Sequence, residues 1–327
     1  MLRATLHEQE IRRIVGAPGE GERVVDGISP IGATEDRALY FINKEVTAEL
    51  CDTFAAREGC IVVVLTGSSL SGTLNNCVVL EAEDPRLELA KVLKFILEEQ
   101  RVTSFVSERK IAPSAVLSPQ AIVDGVVEIA EGVLIEPFCY VGPDVKIGRG
   151  SIIRSGARIH SRVTLGENSI IGSNSVIGHQ GYGFVRNNAG NKMRIPHLGG
   201  VVIGSNVEVG ALTTVQSGTI EPTIIEDFAK IDDHVQVGHN VRLGRGVSLT
   251  TGVVIAGHAQ VEEEAWLGIN SSIREGRRIG AHTLVGMDAS IQQDLADDSV
   301  ARAPRPDVRM RDDNDPTSIG FIKRNHK

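Results

Sequence analysis

Aliphatic residues fall on every sixth position from Ile111 to Ile177 without a miss, through Leu117, Val123, Ile129, Ile135, Val141, Ile147, Ile153, Ile159, Leu165 and Ile171. The beat returns at Ile203, Val209 and Val215, slips by four residues, and then runs from Ile225 to Ile291. A helix repeats near 3.6 residues and a simple strand at 2, and neither sustains a six-residue beat over this length. The spacing therefore predicts a parallel β-helix of short strands and turns. With three hexads to a coil and coils stacked at roughly 4.8 Å, about nine coils make a rod on the order of 43 Å tall.

Within each hexad the aliphatic residue points inward, and Gly often follows it, as in Ile147-Gly148, Leu165-Gly166, Ile171-Gly172 and Leu243-Gly244. Gly, Asn and Asp crowd the remaining positions because they tolerate the positive φ that tight corners demand. A single coil cannot bury its apolar face, so stability comes from stacking, and flat outer faces invite self-association.

Upstream of the repeat the pattern changes to a mixed α/β region. It predicts a short helix near 6–15 ended by Gly16, strands at Ala38–Ile42, Cys60–Leu65 and Cys77–Leu80, and a helix from Pro85 to Glu99. Asp84-Pro85 is a strong helix start. The expected organisation is an N-terminal α/β domain over 1–106, a β-helix over 107–295 with a loop at 178–202, and a basic tail over 296–327.

Composition narrows the classes. The formal charge of −8 and pI near 5.6 argue against a sequence-independent nucleic-acid binder. Residues 301–327 nonetheless carry seven Lys/Arg against four Asp, which leaves the remainder at −11. Arg302, Arg305 and Arg309 in this tail are candidate contacts for an anionic donor. Cys51, Cys60, Cys77 and Cys139 show no metal-like spacing and read as reduced thiols of a cytoplasmic protein. No signal peptide or transmembrane run is apparent.

The gap between Ile177 and Ile203 is too long for one hexad, so a loop leaves the prism there, and loops on rigid scaffolds commonly carry function. It holds His179, Tyr182, Phe184, Arg186, Lys192 and Arg194, with no Asp or Glu between Gly178 and Ser205. That composition suits a phosphate-bearing ligand. Further on, His239 follows Val237-Gly238 at a corner, with Asp232, Asp233 and His234 one hexad earlier and His258 almost one coil later. An imidazole there is a natural general base for an amine or hydroxyl, and a neighbouring carboxylate could fix its tautomer. The His234/His239 spacing also permits a zinc-dependent, carbonic-anhydrase-like lyase, although no third His occupies a regular hexad two coils earlier.

Several segments together resemble the UDP-3-O-acylglucosamine N-acyltransferase family. They are Gly181-Tyr182-Gly183-Phe184, Arg194-Ile195-Pro196-His197-Leu198-Gly199, Val207-Glu208-Val209-Gly210-Ala211, Thr213-Thr214 and Val237-Gly238-His239-Asn240-Val241. The likeness covers roughly residues 15–300 and includes Leu39-Tyr40-Phe41-Ile42-Asn43, which looks like the family's uracil-binding strand.

The resemblance implies a mainly β protein, a left-handed parallel β-helix with an N-terminal α/β domain, assembled as a homotrimer. It implies an N-acyltransferase that uses an acyl thioester, acyl-CoA or acyl-ACP, and the amine of a nucleotide-linked amino sugar, in lipid A or surface polysaccharide synthesis. No bound cofactor or metal is expected. His239 would be the base, Gly257 amides the oxyanion donors, Phe41 and Asn43 the contacts to the base of the nucleotide, and His179, Tyr182, Phe184 and Arg194 further substrate contacts.

Departures from the family pattern are specific: its second active-site His falls at Gly276, with His258 one coil earlier in the same column. Gln216-Ser217 replaces an Asp-Arg pair, and Asp233 replaces an Asn. The carrier-docking C-terminal helix is broken by Pro304, Pro306 and Pro316. The rival readings are a short-chain acyl-CoA enzyme acting on a dTDP-linked aminodideoxysugar, the zinc lyase, and a non-catalytic trimeric scaffold.

Overall fold

The computed structural model describes residues 1–70, 74 and 76–306. From Lys110 onward the chain winds into three parallel sheets of ten, nine and nine strands, each strand two to four residues long. Outside the two breaks each rung pairs with the rung about eighteen residues on, as in Leu134↔Ile152 and Ile135↔Ile153, which is the three-hexad coil that the periodicity predicts, and across the breaks the separation becomes 38 residues at Leu165↔Ile203 and 22 at Ile203↔Ile225. The inward residues form one aliphatic column from Val127 to Ile291. Its first members, Ile111, Leu117 and Val123, are only partly covered because no coil stacks above them.

Corners are turned in the left-handed backbone region, and many of the residues there are not glycine. Asn168, Asn174, Asn206, His234, Asn240, His258 and Asn270 all have φ between +53° and +60°. Asn and His tolerate this region better than most side chains, so polar groups accumulate along the edges of the prism. Pairing also continues past the boundary expected at 295: Leu295 bridges Ile279, and Val300–Ala301 pairs with Leu284–Val285. The inward position there is taken by Ala301, whose methyl group is too small to continue the beat of large aliphatic residues.

The N-terminal domain is a five-stranded sheet in sequential order, β1 (Leu2–His7), β2 (Val24–Ile28), β3 (Ala38–Ile42), β4 (Ile61–Leu65) and β5 (Val78–Ala82). Only the β1/β2 pair is antiparallel. Helices α1 (Glu8–Val15), α2 (Ala48–Ala55) and α3 (Pro85–Glu98) complete it. The helix expected near 6–15 is present from Glu8, two residues later, and is preceded by a strand, Leu2–His7, that the sequence pattern did not predict. Leu2, Ala4 and Leu6 alternate inward with exposed neighbours, and at the start of α1 the backbone N–H of His7 donates to Glu10 Oε2 (3.1 Å). Gly16 ends α1 at φ +72°, as expected. Asp84 accepts from the amides of Arg86 and Leu87 to start α3.

The two breaks in the hexad rhythm position the site. Between Val176–His179 and Val201–Ile203 the chain leaves the prism as a hairpin, Phe184–Arg186 against Lys192–Arg194. Its Val185, Ile195 and Leu198 enter the core of the N-terminal domain beside Leu39, Phe41, Val63 and Leu93. The hairpin is therefore a shared wall that seats the N-terminal sheet against the rod. The second break, around Gly218–Pro222, folds back so that Gly218 donates to Gly200 O at 3.0 Å.

Candidate active site

Both breaks open onto one cleft of about 820 Å³. Tyr182, Phe184 and His197 come from the first break, and Thr219, Ile220 and Glu221 from the second. Pro30, Asn43, Arg86 and Leu89 come from the N-terminal domain, and His239, Asn240, His258 and Glu275 from successive coils of one prism edge.

At its centre His239 is held at both ends. Its backbone N–H donates to Gln216 Oε1 (3.2 Å), and its ring Nδ1 lies 3.2 Å from Asn240 Oδ1. That oxygen also accepts from Thr219 N and Thr219 Oγ1, each at 3.0 Å, while Asn240 Nδ2 donates to Glu221 O. A backbone N–H can only donate, so the atom facing Nδ1 is an acceptor and Nδ1 must carry the proton. Nε2 is then the unprotonated nitrogen, as a base requires. The ring lies directly over Gly257: a Cβ added at Gly257 would come within 2.6 Å of His239 Nε2.

Two further imidazoles flank it, His197 with its ring centroid at 4.7 Å and His258 at 4.9 Å, both edge-on. His197 is 2% exposed. Its N–H donates to Gln180 Oε1 (2.8 Å), and its carbonyl accepts from Gln180 Nε2 and Ser217 Oγ. Burial, and then the nearby His239, push its pKa down to about 4. Gly181 and Gly183 are glycine because this ring fills the space a Cβ would need, at 2.6 and 3.0 Å. His258 is also held below the usual imidazole range, by desolvation and then by His239, with the Glu275 carboxylate opposing. Among the described residues Gly257 N–H has no acceptor.

The structure brings some of the candidate residues to the cleft and places others elsewhere. Asn43, Tyr182 and Phe184 line the cleft, the latter two edge-to-face at 5.0 Å. Arg194 supports them from behind, stacked over Phe184 at 4.6 Å and donating to Gly181 O. His179 points away and packs on His160 at 5.7 Å.

Phe41, expected to stack on a base, is 8% exposed and packed in the N-terminal core, so it offers no open platform. Asp232, Asp233 and His234 occupy a different corner. Asp232 binds Thr251 and Asp233 binds Ala211 N, so these carboxylates hold turns and do not orient His239. His234 is exposed there, and the His234/His239 pair is not assembled. Among the described residues no group of three or more His, Cys, Asp or Glu is arranged to hold a metal ion. Arg302 and Arg305 are exposed at the far end of the rod and line no part of the cleft, while Arg309 lies outside the described residues.

Sequence reasoning passed over Asn240, Thr219 and Gln216, although the four-residue slip before Ile225 marked the second wall. Gln216 and Ser217, which depart from the family's Asp-Arg pair, are both structural here: one receives the His239 amide and the other joins His197 O to Gly200 N.

Residues 126–161 match the bacterial transferase hexapeptide model of six repeats. The UDP-3-O-acylglucosamine N-acyltransferase of Delftia acidovorans is 32% identical over 274 residues, covering 84% of this chain and 72% of the relative. The chain belongs to the UDP-3-O-acylglucosamine N-acyltransferase family. It is an acyltransferase of the hexapeptide-repeat class, and the left-handed sense of its β-solenoid follows from that membership. The corresponding protein of Paracidovorax citrulli is 30% identical over 66% of this chain and 60% of its own length. Among solved structures, LpxA from Acinetobacter baumannii superposes with a TM-score of 0.50 at 21% identity, over 59% of this chain and 71% of that one, which speaks for the fold alone. No helix among the described residues is long and apolar enough to cross a membrane.

Proposed function

We propose that this acyltransferase moves an acyl group from an acyl thioester, on a carrier protein or coenzyme A, to the amine of a nucleotide-linked amino sugar, with His239 as general base. The observation that carries the reading is the tautomer lock. Asn240, itself fixed by Thr219 and Glu221, keeps the proton on His239 Nδ1 and leaves Nε2 basic in the cleft. The amine nitrogen attacks the thioester carbonyl as Nε2 removes its proton. The N–H of Gly257, the residue over which the His239 ring lies, suits the oxyanion. Asn43 and Arg86, from the N-terminal domain, and Lys192, from the hairpin, supply the polar and cationic wall against which a nucleotide diphosphate would lie.

Assembly as a homotrimer is part of the same reading. One outer face of the rod carries stacked apolar residues at its two ends, Val116-Leu134-Ile152-Ile170 and Trp266-Leu284-Val300, with the Glu208–Lys230 ion pair between them. Trp266 and Leu284 are 41% and 40% exposed in the single chain, and a second copy of the chain would cover them. The test of function is direct: purified protein is incubated with a 3-hydroxyacyl or short acyl thioester and a UDP- or dTDP-linked amino sugar, and amide product is read by mass spectrometry. Absence of amide with every pair would defeat the proposal.

A further inference from the structure

Acyl transfer to an amine moves one proton from nitrogen to sulfur, and the reading above assigns His239 only its removal from nitrogen. We infer that His258 is the second proton carrier, receiving the proton from His239 and delivering it to the departing thiolate. This rests on the acyl-transfer reading above.

The geometry supplies the relay. Asn240, His258 and Gly276 are successive left-handed corner residues on one edge, eighteen residues apart, and His258 N–H donates to His239 O at 2.9 Å. This backbone bond fixes the separation of the two side chains, and their rings meet edge to face at 4.9 Å and 89°. Both line the cleft, with His258 one coil further along the edge, on the side of Glu275 and Gln260. Of the cleft-lining residues, only His197, His239 and His258 are imidazoles. His197, on the opposite side, is sealed from solvent, whereas His258 opens to it.

The steps balance. The amine nitrogen bonds to the carbonyl carbon, its proton goes to His239 Nε2, and the carbonyl π pair moves to oxygen. Collapse re-forms C=O and breaks C–S, the sulfur leaving with the bonding pair. The proton passes from the His239 imidazolium to His258 and from there to sulfur, which restores both rings to neutrality. A lowered imidazole pKa suits this task, because such a ring rests neutral and, once protonated, is a stronger acid than a free imidazole.

The variant His258→Asn removes the ring and keeps a side chain that tolerates the φ of +60° at this corner. It is compared with wild type and His239→Ala on two donors, an alkyl thioester whose thiol has a pKa of about 8.5 and an aryl thioester whose thiolate departs without a proton. Thermal melts confirm equal folding. His258→Asn is expected to lose about 10²-fold in kcat on the alkyl donor and to recover most of that loss on the aryl donor, while His239→Ala stays slow on both. An equal loss on the two donors, or no loss on either, overturns the relay and leaves the His239 reading intact. A His239→Ala variant as fast as wild type overturns both.

Discussion

His239 Nδ1 and Asn240 Oδ1 lie 3.2 Å apart, and the same oxygen receives the amide and hydroxyl of Thr219. Two adjacent residues on a tight corner thus set the tautomer of the ring, and the second break in the repeat holds one of them in place. Replacing Asn240 by Gly preserves the left-handed backbone, for which φ is +56°, and removes the acceptor. The expected result is a kcat lower by about 10²-fold with KM for the nucleotide sugar nearly unchanged. A rise in KM alone would mean that Asn240 binds substrate instead of fixing the base.

Gly257→Ala tests the placement of the ring. The added methyl would press on His239 Nε2 at 2.6 Å, and the ring can swing aside at little cost to folding. Activity should fall by an order of magnitude or more, as misplacement of a reacting group predicts, with a Tm within a degree or two of wild type. If Tm collapses and activity per folded molecule does not, the ring does not lie where it is described.

His197 makes the protein acid-sensitive. Its folded-state pKa is pushed down to about 4, whereas the free imidazole titrates near 6.5. Between these values the unfolded chain binds a proton that the folded chain refuses, so stability falls as pH falls through this window, with a slope of up to about 1.4 kcal/mol per pH unit. Above about pH 6.5 both states are neutral and the residue contributes no pH dependence. His197→Gln should flatten denaturant midpoints between pH 6.5 and 4 relative to wild type. Parallel curves for the two proteins would show that His197 is not buried as a neutral ring.

The apolar outer face gives a prediction on assembly. Light scattering should report a trimer, and Trp266→Glu with Leu284→Glu should shift it toward monomer, since two charges would be buried in the interface without partners. A stable wild-type monomer at micromolar concentration would count against shared faces.

The rod was legible in the sequence because its core repeats one requirement, an aliphatic side chain every sixth residue, and no tertiary contact overrides it. His239 was legible through its corner position and its motif. The partners of His239 were not: Asp232 and Asp233 are nearer in charge and sequence pattern, but a one-hexad separation places them on another corner of the prism, where they bind turns. Asn240 was passed over because a corner Asn is ordinarily explained by its backbone. Phe41 shows a different limit. Its strand was recognised, yet which face of the sheet is covered depends on Val185, Ile195 and Leu198, more than 140 residues away. β1 was missed because its apolar alternation runs straight into the start of α1.

The general-base role of His239 is tested most directly by single-turnover acyl transfer from a thioester to the nucleotide-linked amine, comparing wild type with His239→Ala at equal protein concentration. The expected result is a loss of about 10²–10⁴-fold in the rate of amide formation, with the circular dichroism spectrum unchanged. A variant that forms amide at the wild-type rate would contradict it.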